Sequence, residues 1–275
     1  MAPAAGPINH GVGSVTAAFG LSANIGDTTG ALVWDKAAPD RAGRGEEMTD
    51  PAPALRACVF DAYGTLFDFA SAAQACRPQL GNKTGPLASL WRDKQLQYTW
   101  LRTLEGQYAD FWQVTGDALD YALDTLELAD AGLRERLMSL YLSLEPFPEV
   151  ADCLRRLKAA GMRTAILSNG SPAMLEAMMT GAGLDGLIDH VLSVEPARVY
   201  KTHPKAYQLA VDALGAAPGD LVFISSNGWD AYAASAFGMK VAWCNRYSQR
   251  PERLPGRPDW EIRSLAALPA LVLGG

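Results

Sequence analysis

The chain has little of what several common kinds of chemistry require. Four cysteines, Cys58, Cys76, Cys153 and Cys244, are spread over 275 residues with no CxxC pair, so neither a zinc site nor a disulfide framework is indicated. Cys58 and Cys244 lie inside apolar runs, where a buried small hydrophobe is the natural reading, and a reducing cytoplasm fits such usage. Only three histidines occur, His10, His190 and His203, none in a recognisable triad context. No P-loop, HExxH or GxSxG elbow is present. No stretch approaches the roughly 18 apolar residues of a membrane span, and the N-terminus lacks the basic-then-apolar order of a secretory signal. Lys plus Arg number 24 against 30 Asp plus Glu, a formal net charge of -6, and the basic residues form no run. Broad attraction to nucleic acid or anionic membranes is not expected.

Hydrophobic residues make up 49% of the chain, enough to bury a full core. Residues 1–53 stand apart, rich in Gly, Ala, Pro, Thr and Asp with little periodicity, and are expected to be a loosely ordered or disordered extension. Met48 just precedes the patterned region and could be the true start.

From Leu55 the pattern changes. LRACVFDAYGTLF reads as a buried strand running into a turn. About 80 residues of helical character follow, with Leu87, Leu90, Trp91, Tyr98, Leu101 and Leu104, then Leu133, Leu137, Leu140, Tyr141 and Leu144, near helical spacing. After Pro146 and Pro148 the chain alternates. A helix over Val150–Leu157 ends near Gly161 and the strand RTAILS follows, then a helix with Ser171 and Pro172 in its cap and first turn. The strand HVLSV, a helix after Pro204, the strand DLVFIS, a helix from about Trp229 to Phe237 and the strand KVAWC complete the series. Alternation of this kind predicts a doubly wound α/β fold with a parallel sheet covered on both faces. The helical block, residues 69–145, then reads as an insertion into a core formed by residues 54–68 and 146–272. GAGLDG (181–186) matches GxGxxG but follows a helix, so it predicts a helix-terminating turn rather than a dinucleotide site.

In doubly wound folds the ligand crevice lies at the carboxyl ends of the strands, and here those ends are polar. The first strand ends in Asp61-Ala62-Tyr63-Gly64-Thr65 and RTAIL ends in Ser168-Asn169-Gly170. LVFI ends in Ser225-Ser226-Asn227-Gly228-Trp229-Asp230, and Lys201 follows HVLSV. Singly, each has a plain explanation as a turn former, helix cap or solvated charge. Together, in chain order, they specify a site.

In these elements the sequence resembles the haloacid dehalogenase superfamily: FDAYGTLFD, LSNG, Lys201 and SSNGWD match its four motifs, over about residues 55–265. LWRDKQLQYTWLRTL (90–104), YKTHPKAY (200–207) and SSNGWD resemble the L-2-haloacid dehalogenase branch in particular. The resemblance implies a Rossmann-like core with a helical cap, and hydrolysis of (S)-2-haloacids to (R)-2-hydroxyacids through an ester on Asp61, with inversion. It also implies no metal or other cofactor, and a homodimer.

By the same resemblance Asp61 is the nucleophile, Lys201 holds it ionised, and Asp230 activates the water. Arg92 and Asn169 receive the halide beside an apolar wall from Trp229. Ser168 and backbone amides around Tyr63 and Leu66 receive the substrate carboxylate, with Thr65, Tyr207, Ser225 and Asn227 as supporting polar contacts. The alternatives are an Mg²⁺-dependent phosphatase of the same superfamily and a non-enzymatic binding protein. Against the phosphatase, Tyr63 stands where such enzymes carry a general acid, and a halide leaves without needing a proton. The Ser225–Asp230 segment also offers one carboxylate where a metal would call for more.

Overall fold

The computed structural model describes residues 55–128 and 130–274. The extension expected over residues 1–53 lies outside the described residues. Six strands form one parallel sheet in the order β3-β2-β1-β4-β5-β6. They are β1 (Ala57–Phe60), β2 (Arg163–Ser168), β3 (His190–Ser193), β4 (Leu221–Ser225), β5 (Lys240–Cys244) and β6 (Trp260–Ile262). Every residue of β1 and β4 is buried, as the near-continuous apolar runs of central parallel strands require.

The sequence order moves outward from β1 in both directions, so the sheet reverses between β1 and β4. That reversal creates the crevice at the strand ends. Asp61 extends the ladder by one bond, its N–H donating to the Ile224 carbonyl (2.9 Å), and so emerges at the reversal.

Between β1 and β2 the chain passes through α1 (Ser71–Ala75), α2 (Arg77–Leu80), α3 (Thr84–Glu105), α4 (Phe111–Thr125), α5 (Ala131–Tyr141) and α6 (Val150–Ala159). The remaining helices are α7 (Pro172–Gly181), α8 (Pro204–Leu214), α9 (Gly228–Phe237) and the C-terminal α10 (Leu268–Leu273). Local chemistry sets their starts. Asp110 caps α4 by accepting from Gln113 N–H (3.0 Å), and Ser171 caps α7 ahead of Pro172. His203 caps α8, its Nδ1 accepting from Lys205 N–H (3.2 Å), which gives it a structural role. After α7, Gly183 and Gly186 have positive φ, so GAGLDG is a helix-terminating turn.

Two segments depart from expectation. β6 and α10 are short, β6 after the Pro-rich stretch 251–258 and α10 with Pro269 in its first turn, and no periodicity announces either. On α3 the buried stripe is Thr84, Leu87, Trp91, Gln95 and Thr99, whereas Leu101 is 44% and Leu104 83% exposed. Polar side chains enter the interior there because they satisfy one another. Gln95 donates to Thr115 Oγ1 (2.7 Å) and accepts from the Tyr141 hydroxyl (3.1 Å).

The chain leaves the sheet for these helices and returns beside itself. Phe67 and Pro146 form an antiparallel bridge, Asp68 N–H donates to the Glu145 carbonyl (2.8 Å), and Phe147 N–H donates to the Leu66 carbonyl (2.9 Å). This pairing brings α3 over the strand ends.

Candidate active site

Asp61 is 5% exposed and both carboxylate oxygens are engaged. Oδ2 accepts from Thr65 Oγ1 (3.0 Å), Ser225 Oγ (3.3 Å) and Asn227 Nδ2 (2.7 Å), while Oδ1 faces Lys201 Nζ (3.1 Å). Thr65 reaches back because the turn after β1 is tight. Gly64 occupies φ +86°, and the N–H groups of Thr65, Leu66 and Phe67 all converge on the Ala62 carbonyl. Thr65 Oγ1 itself accepts from Ser226 N–H (2.8 Å), so the ends of β1 and β4 are fastened through one hydroxyl.

Lys201 arrives from the loop after β3, its backbone N–H donating to Asn169 Oδ1 at the end of β2 (3.0 Å). Its ammonium is 1% exposed and bridges Asp61 and Asp230, the latter at 2.9 Å. Tyr207, on the buried face of α8, donates its hydroxyl to the other oxygen of Asp230 (2.7 Å).

Burial pushes the Asp230 carboxyl up to about 6 even with Lys201 acting against it, and the nearby Asp61 charge adds to the rise. Burial also works against the Lys201 charge, but the Asp230 and Asp61 carboxylates more than reverse that and hold it above the ordinary lysine value. One ammonium cannot fully neutralise two carboxylates. The strain falls on Asp230, the fully buried partner.

Arg92 reaches the cluster from α3. Its Nη2 donates to Asn227 Oδ1 (2.5 Å), and its guanidinium lies 3.9 Å from the centre of the Phe69 ring. Burial lowers its pKa from the usual arginine value, with Tyr141 and Asp61 acting the other way. Trp229, half-buried at the start of α9, meets Trp100 of α3 edge-on at 5.6 Å. Ser168 Oγ accepts from Gly170 N–H (3.1 Å), which leaves its hydroxyl proton able to donate. The Tyr63 ring packs between Phe111 and Tyr141, and its buried hydroxyl has no partner among the described residues.

Of the residues named from sequence, Asp61, Thr65, Arg92, Lys201, Tyr207, Ser225, Asn227 and Asp230 are thus joined in one hydrogen-bonded cluster, with Asn169 anchoring Lys201. Leu66 fits its expected role poorly. Its amide is committed to the Ala62 carbonyl (2.9 Å) and its side chain is fully buried. Phe69, Gln95 and Tyr141 are neighbours that sequence reasoning did not assign to the site. Gln95 lies three residues after Arg92 on α3 and Tyr141 belongs to the apolar stripe of α5, but only the fold turns them toward the site.

The family model of haloacid dehalogenase-like hydrolases matches residues 55–238, more than half of the chain. The chain belongs to this family. Within the haloacid dehalogenase-like hydrolases it is 47% identical to (S)-2-haloacid dehalogenase 4A of Burkholderia cepacia, over 78% of this chain and 93% of that one. It is 43% identical to haloacetate dehalogenase H-2 of Moraxella sp. (strain B), over 79% and 98%. Among solved structures it resembles the L-2-haloacid dehalogenase of Xanthobacter autotrophicus with chloropropionic acid covalently bound. That likeness has a TM-score of 0.75 at 40% identity, covering 80% of this chain and 99% of the other. The sheet with its flanking helices is therefore the haloacid dehalogenase-like fold.

Proposed function

We propose that this haloacid dehalogenase-like hydrolase removes halide from small 2-haloalkanoic acids, converting the (S) acid to the (R) 2-hydroxyacid. One observation carries the reading: a buried carboxylate, Asp61, aimed by three donors and paired with an ammonium that it shares with a second carboxylate. The relatives named above for 2-haloacids and haloacetate support the substrate class.

In this scheme Asp61 attacks C2 opposite the halogen. The C–O bond forms as the carbon–halogen bond breaks, the configuration inverts, and halide departs as the anion. Arg92 and Asn169 receive the halide, with Trp229 as the apolar wall. Donors that stabilise charge developing in a transition state are each worth about 2.7–4 kcal/mol. Ser168 and the Tyr63 amide receive the substrate carboxylate. Asp230, held by Lys201 and Tyr207, then takes a proton from water, and the hydroxide attacks the Asp61 carbonyl. The acyl C–O bond breaks, the departing alkoxide takes back the proton held by Asp230 and leaves as the hydroxyacid with the oxygen that Asp61 supplied, and the new Asp61 carboxyl releases its proton to water and returns as the carboxylate. No step calls for a metal or organic cofactor. Lys201 supplies between Asp61 and Asp230 the positive charge that a cation would otherwise contribute.

We assign residues 69–145 as a cap that closes over the strand ends and contributes Arg92. Exposed Leu101, Leu104 and Tyr121 on α3 and α4 support a homodimer through these helices. Four buried free cysteines support a cytoplasmic location. No helix among the described residues is long and apolar enough to cross a membrane.

The test is halide release from each enantiomer of 2-chloropropionate in EDTA, with Asp61→Ala alongside. Release from the (S) form alone, abolished in the variant, is the expected result. Phosphate freed from a monoester on adding Mg²⁺, with no halide release, would overturn the reading.

A further inference from the structure

Among the described residues, a partly buried cation lies outside the cluster just described. Arg246 sits in the turn after β5, its side chain 9% exposed, and pairs through Nη1 with Glu149, whose side chain is 18% exposed. Its Nη2 donates to the Thr65 carbonyl (2.8 Å), and its guanidinium lies 3.9 Å from the centre of the Phe147 ring. Glu149 Oε1 also accepts from Ser264 Oγ (3.0 Å). Burial alone would raise the Glu149 carboxyl, but hydrogen bonds from Arg246, its own backbone and Ser264, with the Arg246 charge, hold it below the usual range.

These contacts fall on both linkers between the sheet and the inserted helices. Thr65 belongs to the outgoing linker and Phe147 and Glu149 to the returning one, where Phe67 and Pro146 pair. Thr65 is the residue whose hydroxyl donates to Asp61 Oδ2 while accepting from Ser226 N–H. Its carbonyl is fixed by Arg246 and its hydroxyl by Asp61 and Ser226, so the orientation of the one depends on the other.

We propose that Arg246, clamped by Glu149, is a positioning residue: it holds the Thr65 peptide so that the hydroxyl aims the nucleophile, and it ties that aim to the paired linkers. The inference rests on the reading of Asp61 as nucleophile. A planar fork is what the arrangement requires, because two separate acceptors, the Glu149 carboxylate and the Thr65 carbonyl, are held at once. Lysine keeps the charge but not that geometry.

A partly buried Arg–Glu pair could also serve the core alone, and a double-mutant cycle separates the two roles. The variants are Arg246→Lys, Thr65→Val and the two combined, assayed for halide release with Tm measured in parallel. Arg246→Lys is expected to lower kcat by about 10- to 100-fold, the range for a displaced supporting group, with KM within about twofold. Added to Thr65→Val it should lower kcat little further, because both changes remove the same support. A folded Arg246→Lys protein with wild-type kcat, or losses that multiply in the double variant, would overturn the proposal. If Arg246→Lys does not fold, Glu149→Gln in the same cycle decides by the same criteria. Wild-type protein that releases no halide overturns the nucleophile reading and this inference with it. An active wild type with multiplying losses overturns only the inference.

Discussion

Replacing Lys201 with methionine removes the ammonium that two buried carboxylates share. At an effective dielectric near 20, unit charges about 3 Å apart interact by on the order of 5 kcal/mol, and desolvation offsets much of this. Taking away one member of a buried pair nonetheless costs about 3–5 kcal/mol, because the remaining charge is left unpaired. Here Asp61 and Asp230, 5% and 0% exposed, are left together, so the upper end of that range applies near neutral pH. The pH dependence follows from the signs. In the wild type Lys201 titrates above its unfolded value of about 10.4, so its stabilisation is fully present throughout pH 5–8 and is lost only as pH rises through the folded value. In the variant the Asp230 carboxyl, already raised to about 6 by burial, loses the cation that acts against that rise and goes higher still. The folded state then binds more protons than the unfolded one, and stability falls as pH rises, by up to about 1.4 kcal/mol per pH unit. Urea denaturation at pH 5, 6, 7 and 8 should therefore show a gap between the two proteins that widens with pH. A variant within about 1 kcal/mol of wild type at pH 8, or a gap that does not change, would refute the account of the site as a charge-sharing pair.

Because Asp230 is raised to about 6 and must be ionised to accept a proton, kcat should fall as pH drops through 6, approaching about tenfold per unit below it. Asp230→Asn should let the ester on Asp61 accumulate, seen as a mass increase on the intact protein; wild-type turnover in this variant would remove Asp230 from the mechanism. Arg92→Ala should lower kcat by about 10²–10³, measured as halide release, and a near-normal rate would free Arg92 from halide binding. In a single turnover in ¹⁸O-water with enzyme in excess, the label should appear on Asp61 and not in the hydroxyacid; label in the product would exclude the ester.

The residues nearest the chemistry were legible because each ends a strand whose apolar run is read directly, and β2, β1 and β4, though not consecutive in the chain, lie side by side in the sheet. Lys201 was legible only through the motif, since its loop gives no sign that it turns back to Asp61. Arg92 needed the surrounding segment as well, because an arginine on a helix carries no mark of what it faces. Gln95 was hidden for a related reason. It continues a buried stripe that periodicity assigns to apolar residues, and only partners on α4 and α5 make a glutamine tolerable there. Arg246 meets Thr65 across most of the chain, a contact that no local pattern encodes. Leu66 shows what spacing alone does not tell: the amides around Tyr63 and Leu66 were expected to face the substrate, and the turn after β1 engages that of Leu66 with the Ala62 carbonyl.

The bridge between Phe67 and Pro146 has an architectural consequence. The excursion through the helices begins and ends at neighbouring points, with Asp68 and Glu145 already hydrogen-bonded. From the viewpoint of the sheet, everything in between is a decoration on a closed hairpin. Its length and helix count can drift without altering any strand register, as insertions at adjoining exit points generally can. The helices beyond the bridge can therefore be redrawn by engineering while the strand ends that carry Asp61 stay in register.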